Sequence, residues 1–203
     1  MPRPTNTAER RAQIVQGLLQ AMAERGYGGA SIQTIARAAG LTSGLVHYHF
    51  ESKQQILIEL VRSLSDGVRA RFERRARSAR APWKRLDAFI DAHLALGDDA
   101  DPQAVACWVA IGAEALRQAE VRQVYEQALR ADLELLQGIV VEVLEHEEIP
   151  RRHAARIAAG LMAAVQGSYQ LAAVAQVTPA GFAAPSVRAM AQGLIRAAGE
   201  ESR

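Results

Sequence analysis

A single cysteine, Cys107, stands in the 203 residues, so no internal disulfide can hold this chain together, and a lone thiol cannot by itself build a metal site. Aromatic residues make up only 5% of the chain, which leaves little material for an aromatic cage around a cation. Alanine is abundant instead, and it favours helices. No segment shows sustained strand-like alternation, which excludes a β-architecture. No long uninterrupted apolar run occurs either. The most apolar stretch, "IAAGLMAAVQGSYQLAAVA", is broken by Gln166, Ser168 and Gln170, so it reads as a buried helix rather than a membrane span. Behind the charges of "MPRPTNTAERR" there is no apolar run of the kind a signal peptide needs, and a cytoplasmic location is expected. The chain has no GxSxG, no HExxH and no phosphate loop, so nothing marks it as an enzyme. Cys107 lies beside Trp108 in an apolar helix, where a thiol is usually inert.

The formal net charge is small, +2, but it is unevenly placed. Residues 1–53 hold six Lys/Arg and three Asp/Glu, whereas the remaining 150 hold 18 and 19. The positive excess at one end hints at an anionic partner.

The periodicity is helical throughout. Ile14, Leu18 and Met22, with Val15 and Leu19 beside them, predict a helix from about Asn6 to Tyr27. Asn6 and Glu9 have the spacing of a capping box, and Gly26, Gly28 and Gly29 end the helix. Ser31 caps a short second helix with an Ile32–Ile35–Ala36–Ala39 stripe, stopped by Gly40. Thr42 caps a third of about two turns, and Ser52 with Gln55 opens a fourth. Two short helices around a tight glycine turn, behind a longer one, form a helix-turn-helix pattern. With Val46 and Phe50 inward, the helical wheel turns Gly44 and Tyr48 outward, flanked by Leu45 and His47. Imidazole and phenol groups can donate to phosphates, Leu45 can touch a thymine methyl, and Gly44 permits close backbone approach. Lys53 stands at the first turn of the fourth helix, where free amides favour phosphate. His47 and His49 are two residues apart and do not share a face, so they are not a metal pair.

The stretch "ASIQTIARAAGLTSGLVHYHFESKQQIL" closely resembles the DNA-binding signature of TetR-family transcriptional regulators, over about residues 10 to 60. The resemblance implies an all-α, homodimeric, ligand-responsive regulator, usually a repressor on a near-palindromic operator, with no cofactor. It implies DNA contacts from Ser31 and Gln33 on the second helix. It implies others from Thr42, Ser43, Gly44, Leu45, His47, Tyr48 and His49 on the recognition helix, and a phosphate held by Lys53. His47 departs from the tyrosine most common in the family.

Residues 54–203 are then expected to form an effector-binding and dimerisation domain, giving about nine helices in all, with residues 1–53 as the DNA-binding domain. Pro82 sits at a first helical turn, and "LGDDADP" is a break with Asp101 capping and Pro102 opening a helix to about Arg117. Further helices are expected at about Val121–His146, Pro150–Gln176 and Ala184–Ala198. His146 and His153 flank a turn and are expected to be solvated. The eighth helix is apolar nearly all round, which calls for cover on every side. The dimer interface is therefore expected on Gly160, Ala164 and Gly167 of that helix and Val187, Met190 and Leu194 of the ninth. For a ligand, His93, Trp108, Tyr125, Gln166 and Tyr169, with Gln170, are the polar or aromatic groups that stand out. "ACWVAIGAEALRQAEVRQVYEQALRADLELL" resembles the BetI-like branch of the family, whose best-known members respond to choline. That branch often has aspartate where Gln166 precedes Gly167 here, and choline is not carried over. Two other readings are a helical enzyme, which lacks a catalytic constellation, and a constitutive DNA-binding protein without an effector.

Overall fold

A computed structural model describes residues 7–94, 100–175 and 177–202. Among these, the chain is nine α-helices without a strand: α1 Thr7–Gly29, α2 Ile32–Ala38, α3 Ser43–His49, α4 Lys53–Ala76, α5 Pro82–Leu94, α6 Pro102–Ala115, α7 Ala119–His146, α8 Ala154–Gln170 and α9 Ala183–Glu200. A short 3₁₀ turn, Arg151–His153, precedes α8, and a π-helical stretch, Leu171–Ala175, follows it. The expected Asn6 cap, the first part of "LGDDADP" and Gln176 lie outside the described residues.

The helix boundaries follow local chemistry. Ser31 and Thr34 cap α2 reciprocally: Thr34 N–H donates to Ser31 Oγ at 3.2 Å, and Ser31 N–H to Thr34 Oγ1 at 2.8 Å. Thr42 Oγ1 accepts from Leu45 N–H at the start of α3. Between them Gly40 takes φ 66, while Leu41 N–H reaches back to Ala36 O and Gly40 N–H to Arg37 O. This crossed pair of bonds needs a left-handed residue, which glycine supplies without a Cβ penalty. Asp101 caps α6 through Ala104 N–H. Helix α1 is broken at Gly26 (φ 68, ψ 171) rather than running smoothly to its end.

The chain forms two compact units. One comprises residues 1–65 with 101–127; the other comprises 66–100 with 128–203. In the first, Ile14, Leu18, Ile35, Val46, Phe50, Ile56, Leu57 and Leu60 make the core of the first four helices. Helix α6 packs on α1: Cys107 Sγ donates to Leu19 O at 3.4 Å, and burial pushes the thiol up to about 11, so it is unreactive. In the second unit, α5, α8 and α9 pack together with part of α7 around Phe89, Ile90, Leu136, Val140, Leu161, Val165, Ala191 and Ile195.

One expectation is overturned here. His146 is exposed, but His153 is buried, its Nε2 3.2 Å from Ser202 Oγ and its Nδ1 3.6 Å from Glu201 Oε2. The end of α9 returns over the 3₁₀ turn and covers it, a contact 49 residues away in sequence.

Candidate nucleic-acid interface and effector site

Helix α3 is fastened from behind. Val46 and Phe50 are 0% and 1% exposed. Arg11 of α1 donates to His49 O at 2.7 Å, which satisfies a terminal carbonyl, while its guanidinium lies 4.1 Å above the Phe50 ring and 3.3 Å from Glu59. Sequence reasoning missed Arg11, because its partners lie 38 to 48 residues away.

What this anchoring leaves outward is Gly44, His47 and Tyr48, all exposed, with Leu45, Ser43 and His49 half-buried at the flanks. Tyr48 is 80% exposed and meets the His49 ring edge-on at 5.1 Å. Ser31, Gln33 and Thr42 are exposed as well. Lys53 is different. Its ammonium donates to Tyr27 O at 2.8 Å, lies 4.0 Å above the Tyr27 ring, and is held below the usual lysine range by partial burial, with Glu114 opposing. A lysine carries three N–H donors, so one bond to Tyr27 does not exhaust it.

The candidate ligand residues fall into separate groups. In the first unit, Trp108 and Tyr125 meet at a 40° tilt with ring centroids 4.8 Å apart, and a Cβ on Gly112 would come within 3.3 Å of the Tyr125 hydroxyl. In the second, His93 and Tyr169 meet: Nδ1 is 2.9 Å from the Tyr169 hydroxyl, which also donates to His93 O at 3.2 Å. Phe89 lies 4.6 Å from the His93 ring. Gln166 lines an open groove of ≈ 380 Å³ with Leu129, Arg130, Leu133, Met162 and Ala163.

The second group has a further member. Asp132 of α7 is 6% exposed, and its Oδ2 lies 3.9 Å from His93 Nε2. Burial raises its carboxyl to about 6, against a smaller opposing effect of Arg69. Burial, and secondarily Arg71, lowers His93 to about 3, so the imidazole is neutral near pH 7. Sequence reasoning missed Asp132, although a signal was there: it interrupts the apolar stripe Ala128–Leu136–Val140 of α7 at four-residue spacing, a place where a solvated carboxylate does not belong.

The expected interface residues divide too. Gly160, Gly167, Met190 and Leu194 are exposed and Ala164 is half-buried, whereas Val187 is 2% exposed within its own unit and offers no surface. Leu194 lies against Gly160, where a Cβ would meet its Cδ1 at 3.7 Å.

Residues 14–60 match the model of bacterial regulatory proteins of the tetR family, and residues 82–198 match that of the BetI-type transcriptional repressor C-terminal domain. The chain belongs to the BetI-type branch of the TetR family. It is 33% identical over 172 residues to the HTH-type transcriptional regulator BetI of Rhizobium meliloti, covering 83% of this chain and 80% of that one. The BetI of Agrobacterium fabrum is 32% identical over 173 residues, 83% of this chain and 79% of the relative. Among solved structures, a transcriptional regulator from Pseudomonas aeruginosa superposes with TM-score 0.83 at 21% identity, over 98% and 97% of the two chains. One from Saccharomonospora viridis, solved in complex with choline, gives 0.77 at 21% identity, over 93% and 96%. The relatives are transcriptional regulators, and this BetI-type chain is a helix-turn-helix regulator. Among its described residues no helix is long and apolar enough to cross a membrane.

Proposed function

We propose that this chain is a ligand-released repressor that binds a near-palindromic operator as a homodimer, with residues 1–53 reading DNA and 54–203 carrying effector and dimer contacts. The single observation that carries the DNA-binding part is the outward face of α3. A helix capped at both ends and buried along Val46 and Phe50 presents Gly44, His47 and Tyr48 to solvent on a rigid base. Base edges and phosphates are read by groups held this way.

Effector binding is supported by the cluster that buried His93, Asp132 and Tyr169 form within the second unit. Polar groups this deep cost stability unless fully partnered, and such sites are functional candidates. The choline held by the Saccharomonospora structure suits a small cation here, beside the Asp132 carboxylate. The ligand must favour the state that fits DNA poorly, since equal affinity for both states shifts nothing. Dimerisation is supported by the small and apolar outer faces of α8 and α9 around Gly160, Gly167, Met190 and Leu194.

Footprinting on DNA upstream of the protein's own gene should show one protected, near-palindromic site. Choline and other small cations should then release that fragment in an anisotropy titration. A protected site that no metabolite releases would favour a constitutive DNA-binding protein. No protected site on any fragment would end the repressor reading.

A further inference from the structure

Residues 101–127 fall inside the stretch that matches the BetI-type C-terminal domain, yet they form one compact unit with residues 1–65. At the end of α6 this unit brings together Tyr27, Lys53, Glu114 and Gln118. The backbone leaves helical geometry at Gly26 (φ 68, ψ 171), just before Tyr27. The Tyr27 carbonyl accepts from Ala30 N–H at 3.2 Å and from the Lys53 ammonium at 2.8 Å. The same ammonium lies 4.0 Å from the centre of the Tyr27 ring. One residue therefore holds Lys53 by its backbone and by its ring, and the carbonyl takes one of three N–H donors.

Tyr27 is held in turn from the end of α6. Burial raises its hydroxyl above the usual phenol range, a side-chain hydrogen bond with Gln118 works against that rise, and the Glu114 charge adds to it. Gln118 Nε2 also donates to Glu114 Oε2 at 2.8 Å, so the amide and the carboxylate brace each other. Resting on the DNA-binding reading above, we propose that Tyr27, Gln118 and Glu114 are positioning residues for DNA: they hold Lys53 in one pose, ready for a backbone phosphate. A mobile lysine loses rotamer freedom when it binds a phosphate, and a lysine already fixed loses less. A phosphate can use the remaining N–H donors without displacing the Tyr27 carbonyl. The end of α6, a part of the BetI-type match, thus sets backbone affinity on the DNA-binding side.

The probes are the operator fragment and a random-sequence duplex of equal length, in anisotropy titrations of the intact protein. Tyr27→Leu should weaken binding to both by about three- to tenfold, because a phosphate contact carries no sequence information. Gln118→Ala should act in the same direction by a smaller factor, and it keeps the test open if Tyr27→Leu does not fold. Lys53→Met should weaken both and reduce the salt slope by about 1 per contact. The deciding measurement is a double-mutant cycle: in the Lys53→Met background, neither Tyr27→Leu nor Gln118→Ala should change affinity further. Equal losses in both backgrounds would mean a structural disturbance of α1 and would overturn the proposal. Unchanged or tighter binding in both single variants overturns it too, since the contact would then be idle or would withhold Lys53 from DNA. If the operator is bound no more tightly than the random duplex but the cycle shows the coupling, the repressor reading falls and the positioning role stands. If the operator is bound specifically and the cycle is additive, the reverse holds, and binding to neither duplex ends both.

Discussion

Asp132 and His93 titrate in opposite directions, and that makes them separable. The folded Asp132 carboxyl titrates at about 6 against 3.8 for the free group. Between those values the folded chain holds more protons than the unfolded one, so this residue's contribution falls as pH rises. His93 titrates at about 3 against 6.5, so its contribution rises with pH over that range. In the native protein the two slopes largely cancel between pH about 4 and 6. Urea unfolding of His93→Phe should show stability increasing by about 2 kcal/mol from pH 6.5 to 4.5, and Asp132→Asn should show a loss over the same interval. Parallel, flat profiles in both variants would contradict the assignment. On the DNA-reading side, Tyr48 is 80% exposed and props up no core. Tyr48→Ala should therefore weaken operator binding by about 1–3 kcal/mol with an unchanged melting temperature, as measured by gel shift and calorimetry.

Among the elements, the approach of α2 to α1 is governed by Gly17. A Cβ there would lie 2.6 Å from Ile35 O and 2.9 Å from Ala39 Cβ, one a backbone atom that cannot step aside. Gly17→Ala should cost about 1–3 kcal/mol of stability in urea unfolding and lower operator affinity by displacing α2 and the turn that carries α3. Ser31→Ala removes one half of the α2 capping box and should cost about 1 kcal/mol in the same assay. If Ser31→Ala loses far more operator affinity than stability, the hydroxyl also touches DNA, as the family resemblance implies.

For the whole molecule, the dimer proposed through the outer faces of α8 and α9 is open to a direct test. Leu194 and Met190 are 39% and 50% exposed, so Leu194→Arg places its charge in water in a lone chain and in the interface of a dimer. Sedimentation of the wild type should give twice the 22.0 kDa chain mass, and Leu194→Arg should give a folded species of one chain mass. A wild-type monomer at micromolar concentration would refute the dimer.

Helix positions, caps and the outward face of α3 were legible in the chain because they depend on neighbours three or four residues apart. Ser31, Thr42, Asp101 and Pro102 act as written, and Val46 with Phe50 orients Tyr48 by helical geometry alone. The contacts that join distant segments were not legible. Arg11 on the end of α3, Lys53 on Tyr27 and Asp132 against His93 each link residues 26 or more positions apart, and no local period encodes which side chains will meet. The same limit separated Val187 from Leu194. Both belong to one apolar stripe, but only packing against the rest of the unit decided that the first is core and the second is surface.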